Sequence, residues 1–61
     1  MGNAAKNSYV KSRITQAEIA LLEEKPLTDI SISEITERAE VSRNSFYRNY
    51  GSKEDVLREY I

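Results

Sequence analysis

The sequence predicts an all-α fold made of three helices and the start of a fourth. Apolar residues recur every three or four positions in the first third of the chain, and a serine stands before each later apolar segment. Strand signals are weak, because the one alternating stretch, residues 30–33, is too short to form a sheet by itself. The 61 residues include no cysteine and no histidine, so the core must come from helix packing rather than from disulfides or zinc.

The first helix is predicted over residues 8–24, after a flexible tail at residues 1–7. Asn7 or Ser8 can cap its start, and Pro26, which cannot continue a helix, ends it. Its apolar residues, spaced four, three and four positions apart, fall on one helix face: Val10, Ile14, Ala17 and Leu21.

Two short helices are predicted over residues 32–39 and 43–49, with a tight turn between them. Ser31 followed three residues later by Glu34 matches the capping box, in which each residue binds the backbone N–H of the other. Ser42 can cap the third helix. Phe46 and Tyr50, four residues apart, then form an apolar pair on one face.

A fourth helix is predicted over residues 53–61, with Ser52 as its cap. Glu54 and Asp55 lie in its first turn, where the helix dipole favours acidic side chains. Its apolar residues form a stripe that the first helix is expected to cover only in part: Val56, Leu57, Tyr60 and Ile61.

Basic residues are concentrated in two windows that contain no acidic residue. Residues 1–17 and 41–53 hold six of the nine basic residues, although the net charge of −1 argues against a general nucleic-acid binder. The two windows favour one positively charged face, but a small charged protein can also show such gaps by chance. In the second helix, Glu34 and Arg38 are predicted to form an i, i+4 ion pair.

Two short helices joined by a tight turn and packed on a longer helix are typical of a helix-turn-helix, whose second short helix enters the DNA major groove. Arg43 suits guanine and Asn44 suits adenine, while Ser45 suits a base or a phosphate. The Tyr47 hydroxyl suits a phosphate oxygen. Arg43 and Asn44 could each contact phosphate instead of a base.

One further set of residues carries a family resemblance: Arg13, Ile14, Ala17, Ile30, Ser31, Ile32, Ile35, Ala39, Val41, Ser42, Phe46, Tyr47, Arg48, Asn49, Tyr50, Ser52, Lys53, Glu54 and Leu57. Together they resemble the N-terminal DNA-binding domain of the TetR family of bacterial transcriptional regulators, over residues 13–57. The most specific part is the cluster over 41–53. The sequence departs from the family pattern at Glu40, where a turn glycine is usual, and at Asn49, where histidine is common.

The resemblance implies a role for each residue of the cluster. Base contacts are implied for Arg43, Asn44 and Ser45. Phosphate contacts are implied for Ser31, Ser33, Tyr47, Arg48, Asn49 and Lys53. Capping is the competing interpretation for Ser31, because the capping box alone explains that residue.

The resemblance also implies partners beyond this chain. Members of the family are typically dimers, so the intact regulator is expected to bind a palindromic double-stranded DNA operator as a homodimer and to act as a repressor. Their C-terminal domain supplies the dimer interface and binds a small-molecule effector. On this basis, residues 8–61 are expected to be the DNA-binding domain of a longer regulator, with the ligand-binding and dimerisation domain absent from this chain. No cofactor or metal is expected.

Other functional classes fit the sequence less well. An enzyme is not expected, because histidine, cysteine and a glycine-rich phosphate loop are all lacking. No apolar run is long enough to span a membrane and no signal peptide is recognisable, so a cytoplasmic protein is expected. The alternative function is a small helical protein–protein interaction module that uses the apolar stripe of the fourth helix.

Overall fold

A computed structural model describes the backbone of residues 2–60 and the side chains of residues 8–60. Within these residues the chain is all-helical, as predicted, and contains no strand. The helices are α1 (Gly2–Leu22), α2 (Ile32–Ala39), α3 (Arg43–Asn49) and α4 (Lys53–Tyr60), with one turn of 3-10 helix at Leu27–Asp29 between α1 and α2. No helix in the described part of the chain is long and apolar enough to cross a membrane.

The first helix differs from its predicted bounds at both ends. The segment predicted to be a tail is helical over residues 2–7, while Met1 lies outside the described residues. This segment contains alanine and lysine and no proline, so nothing in it interrupts the helix. At the other end α1 stops at Leu22, and the Leu21 carbonyl accepts from the N–H groups of Glu24 and Lys25 in a closing turn.

The serine caps predicted for α2, α3 and α4 are present, whereas the cap predicted at Asn7 or Ser8 is wrong, because both residues lie inside α1. Ser31 and Glu34 form the capping box, with N···O distances of 3.1 and 3.0 Å. Ser42 accepts from the Ser45 N–H at 3.1 Å. Ser52 accepts from the Asp55 N–H at 3.3 Å. These local bonds fix the starts of α2, α3 and α4, and α4 is helical through Tyr60, with Ile61 outside the described residues.

The core lies where α1 meets the other three helices. Three of the four residues of the predicted α1 stripe are buried there, and only Val10 is partly buried. The buried apolar residues of the core are Ile14, Ala17, Leu21, Ile30, Ile35, Ala39, Phe46, Tyr50 and Val56. Because Val56 is fully buried and Leu57 is half-buried, the apolar stripe of α4 is largely covered, and of its described residues only Tyr60 is exposed. The alternative function as an interaction module therefore has little surface in the described residues to support it.

The turn between α2 and α3 requires a left-handed backbone at Glu40 (φ 61°, ψ 41°). This conformation costs a residue other than glycine roughly 1 kcal/mol or more. Arg13 on α1 stabilises the turn from the side, because its Nε donates to the Ala39 carbonyl at 2.7 Å and its Nη2 binds the Glu40 carboxylate at 2.7 Å. The arginine thus offsets part of the cost of replacing the usual glycine.

Candidate nucleic-acid interface

The outer face of α3 carries two arginines without a protein partner among the described side chains. Arg43 and Arg48 are exposed, and neither forms a salt bridge or a side-chain hydrogen bond within residues 8–60. Asn44 and Tyr47 are exposed beside them, and Tyr47 is 51% exposed although its ring makes a T-shaped contact with the ring of Phe46. Phe46 itself is buried, so it fixes the rotation of α3 and turns this polar face outward.

Most of the remaining basic side chains of the described region are neutralised by acidic ones. The ion pairs are Lys11–Glu59, Arg13–Glu40, Lys25–Glu34, Arg38–Glu24 and Arg58–Asp55. The prediction that Arg38 pairs with Glu34 is wrong. Glu34 pairs instead with Lys25, which lies in the connector between α1 and α2, and Arg38 pairs with Glu24. Positive charge that is free to meet a ligand is therefore concentrated on α3.

An open groove of about 340 Å³ lies beside α3, between the start of α2 and the start of α4. Four of the predicted DNA-contacting residues line it: Ser31, Arg43, Tyr47 and Lys53. Glu54 lines it as well, which places one negative charge near these four polar or basic groups. The fold thus brings together residues that are separated by up to 22 positions in the chain.

Other predicted contacts are partly occupied within the protein. The Ser45 hydroxyl is bonded to the Ser42 hydroxyl at 3.1 Å, and Asn49 Nδ2 donates to the Ser45 carbonyl at 2.8 Å. Ser31 is exposed but serves as the α2 cap, so both interpretations of this residue are compatible with its position. Ser33 is exposed on the first turn of α2, two residues further along.

Lys53 differs most from the prediction of a phosphate contact. Its Nζ donates to the backbone carbonyls of Leu27 at 2.7 Å and Ile30 at 2.6 Å, so most of its donor capacity is used inside the protein. The sequence contains no sign of these bonds, because the partners are backbone atoms more than twenty residues away.

Glu18 is a polar residue that the sequence analysis did not single out. It lies on α1 with its side chain fully buried, and neither carboxylate oxygen has a hydrogen-bond partner among the described residues. Burial and, as a smaller cause, the negative charge of Glu54 raise the pKa of Glu18 to about 7, although the Lys53 ammonium opposes the shift. Glu18 lies four residues after Ile14 and three residues before Leu21, which places it on the apolar face of α1. This spacing is the sequence signal from which its burial could have been predicted.

Comparison with known proteins gives one clear match. Residues 14–60 match the family model described as "Bacterial regulatory proteins, tetR family". No curated protein and no solved structure gives a significant match to the chain. The family model covers all of α2, α3 and α4 and the part of α1 that carries the core residues. The chain therefore belongs to the TetR family of bacterial regulatory proteins and carries its helix-turn-helix DNA-binding domain.

Proposed function

We propose that this chain binds double-stranded DNA sequence-specifically through α3, as the DNA-reading part of a ligand-responsive transcriptional repressor. One observation carries the proposal: Arg43 and Arg48 on α3 are exposed and unpaired, whereas five other basic side chains of the described region have acidic partners. Free guanidinium groups on a surface helix are suited to guanine edges and phosphate oxygens.

Each exposed side chain of α3 has a proposed role. Arg43, Asn44 and Ser45 lie in the first turn of α3, the end of a recognition helix that approaches the base edges. Tyr47 and Arg48 follow on the exposed side and are assigned to the sugar-phosphate backbone of the DNA along the major groove. Ser31 and Ser33, at the start of α2, are assigned to the DNA backbone on the opposite side of the major groove. For Asn49 and Lys53, which bind protein carbonyls, the phosphate contact stays a prediction.

The regulator is proposed to act as a homodimer on a palindromic operator. Two recognition helices read successive major grooves only if their separation matches the DNA repeat of about 34 Å. An effector bound outside this domain would change that separation and lower the affinity for the operator. Because its target is the bacterial chromosome, the protein is proposed to act in the cytoplasm.

The test is an amide NMR titration of the chain with a 20-base-pair duplex of generic sequence at about 50 and then about 200 mM salt. Shifts are expected at residues 42–49 and 31–33, and they should weaken at the higher salt concentration because phosphate contacts release counterions. Arg43→Ala should weaken binding roughly tenfold or more, as expected for an arginine that contacts DNA.

Arg38→Ala is the matched control, because it removes the same charge from an exposed arginine that is paired with Glu24. It should change the affinity less than about threefold, in keeping with the small contribution of exposed paired charges. The proposed interface is wrong if Arg43→Ala and Arg38→Ala weaken binding equally, or if the duplex shifts no amide of α3 at the lower salt concentration.

A further inference from the structure

Lys53 joins the first turn of α4 to the connector between α1 and α2. Its ammonium group donates to the Leu27 carbonyl at 2.7 Å and the Ile30 carbonyl at 2.6 Å, so two of its three N–H donors are satisfied by the protein. These bonds are partly buried, and bonds from a charged donor to a carbonyl are stronger than neutral ones. Lys53 is therefore held much more firmly than an exposed lysine.

The two carbonyls belong to the segment that sets where α2 begins. The Ile30 N–H donates to the same Leu27 carbonyl at 3.1 Å, which closes the 3-10 turn, and the Ile30 side chain is buried in the core. Ser31, the cap of α2, is the next residue and lines the groove that also contains Arg43 and Tyr47. A displacement of Ile30 would therefore move Ser31 relative to α3.

We propose that Lys53 is a positioning residue for DNA binding, which holds Ser31 and the start of α2 across the groove from Arg43 and Tyr47. This role is the alternative to the phosphate contact predicted for Lys53, and it rests on the proposed function. The surrounding charges support it, because Glu54 lines the groove beside Lys53 and would repel a phosphate there.

The variant Lys53→Met tests the proposal, since it removes the charge and both hydrogen bonds but keeps a long side chain. Without DNA, hydrogen exchange at the Ile30 amide should become much faster, because the 3-10 turn loses its anchor. The affinity for a fluorescently labelled 20-base-pair duplex of generic sequence should fall about fivefold to tenfold, as expected when one polar contact to phosphate is misaligned. The slope of log affinity against log salt should stay unchanged, because no phosphate loses its cation.

Arg48→Gln is the matched control, since Arg48 is exposed and has no partner among the described side chains. It should make the salt slope shallower by about 0.9, the value for one phosphate contact, and leave exchange at Ile30 unaltered. The proposal is overturned if Lys53→Met shows the same loss of slope as Arg48→Gln with unaltered exchange at Ile30.

If Lys53→Met does not fold, the wild-type chain decides the question through the ammonium signal of Lys53 in ¹⁵N-lysine NMR spectra. Protons bound to carbonyls should exchange slowly with water, and the signal should not move when duplex is added. A large shift on addition of duplex would assign Lys53 to phosphate. If the wild-type chain binds no duplex, the proposed function fails, while the exchange measurement at Ile30 still reports whether Lys53 anchors the connector.

Discussion

Raising the pH from 5 to 8 is expected to destabilise this domain through one residue, Glu18. The carboxyl is buried without a hydrogen-bond partner in the described structure, and its pKa rises from 4.5 to about 7. Each pKa unit corresponds to about 1.36 kcal/mol, so the full effect is about 3 kcal/mol, and most of it falls between pH 5 and 8. A domain of this length has a total stability of only roughly 3–9 kcal/mol, so the effect is large.

The sign follows from proton binding in the two states. In the unfolded chain Glu18 loses its proton near pH 4.5, whereas in the folded chain it keeps the proton until about pH 7. The folded state therefore binds more protons between these values, and its stability falls as the pH rises through them. The facing charges act in opposite directions, because Glu54 raises the pKa of Glu18 and Lys53 lowers it.

Other shifted groups titrate outside this range. Hydrogen bonds from Lys25 and from the Ser31 N–H lower the pKa of Glu34, so its contribution is lost only as the pH falls below 4.5. A hydrogen bond to Glu59 raises the pKa of Lys11 above 10.5, so its contribution is lost only at higher pH. Neither Glu34 nor Lys11 therefore adds a pH dependence of its own between pH 5 and 8.

Urea unfolding followed by circular dichroism at pH 5 and pH 8 measures the effect. The wild-type chain should lose about 2–3 kcal/mol over this interval. Glu18→Leu removes the titrating group and fits an apolar site, so it should lose less than about 0.5 kcal/mol and be the more stable protein at pH 8. Glu23→Gln, which changes an exposed acid near the end of α1, should behave like wild type. Equal pH dependence in wild type and Glu18→Leu would refute the reasoning.

Two further substitutions test the turn before α3 and the cap of α2. Glu40→Gly relieves a left-handed backbone worth roughly 1 kcal/mol and loses an exposed ion pair worth at most about 1 kcal/mol. Thermal unfolding should therefore show unchanged or slightly higher stability, and a loss above about 1 kcal/mol would mean that the Arg13 bond matters more than the strain. Ser31→Ala removes the capping box of α2 and should cost about 1 kcal/mol in urea unfolding, whereas an unchanged midpoint would leave Ser31 without a structural role.

The features that sequence predicted well are those fixed by neighbouring residues. Helix starts at Ser31, Ser42 and Ser52 depend on a side chain and a backbone N–H three residues later, so the local pattern contains all the information. The apolar spacing in α1 predicted the core in the same way. The N-terminal bound of α1 was predicted wrongly, because Asn7 and Ser8 are residues that favour a helix cap and yet lie inside the helix.

The features that sequence missed depend on which distant groups come together. The residues next to Lys53 do not indicate that it binds carbonyls of the connector. Those next to Arg38 do not indicate that it pairs with Glu24 rather than with Glu34. Glu18 is hard to predict for a different reason: its spacing places it on the apolar face of α1, but a glutamate is rarely fully buried. The residue type can therefore suggest that a side chain binds DNA, but only the fold shows whether that side chain is already bound to another group of the protein.

The unpaired basic side chains of α3 also explain how a chain with a net charge of −1 can bind a polyanion. At physiological salt the Debye length is about 8 Å, so charges on the far side of the domain have little influence at α3. The ion pairs on α1, α2 and α4 reduce the field of those helices further, and Arg43 and Arg48 then dominate locally. The acidic balance of the remaining surface should suppress contacts with DNA in other orientations. An overall charge near zero thus favours selective binding through α3 over general attraction to nucleic acid.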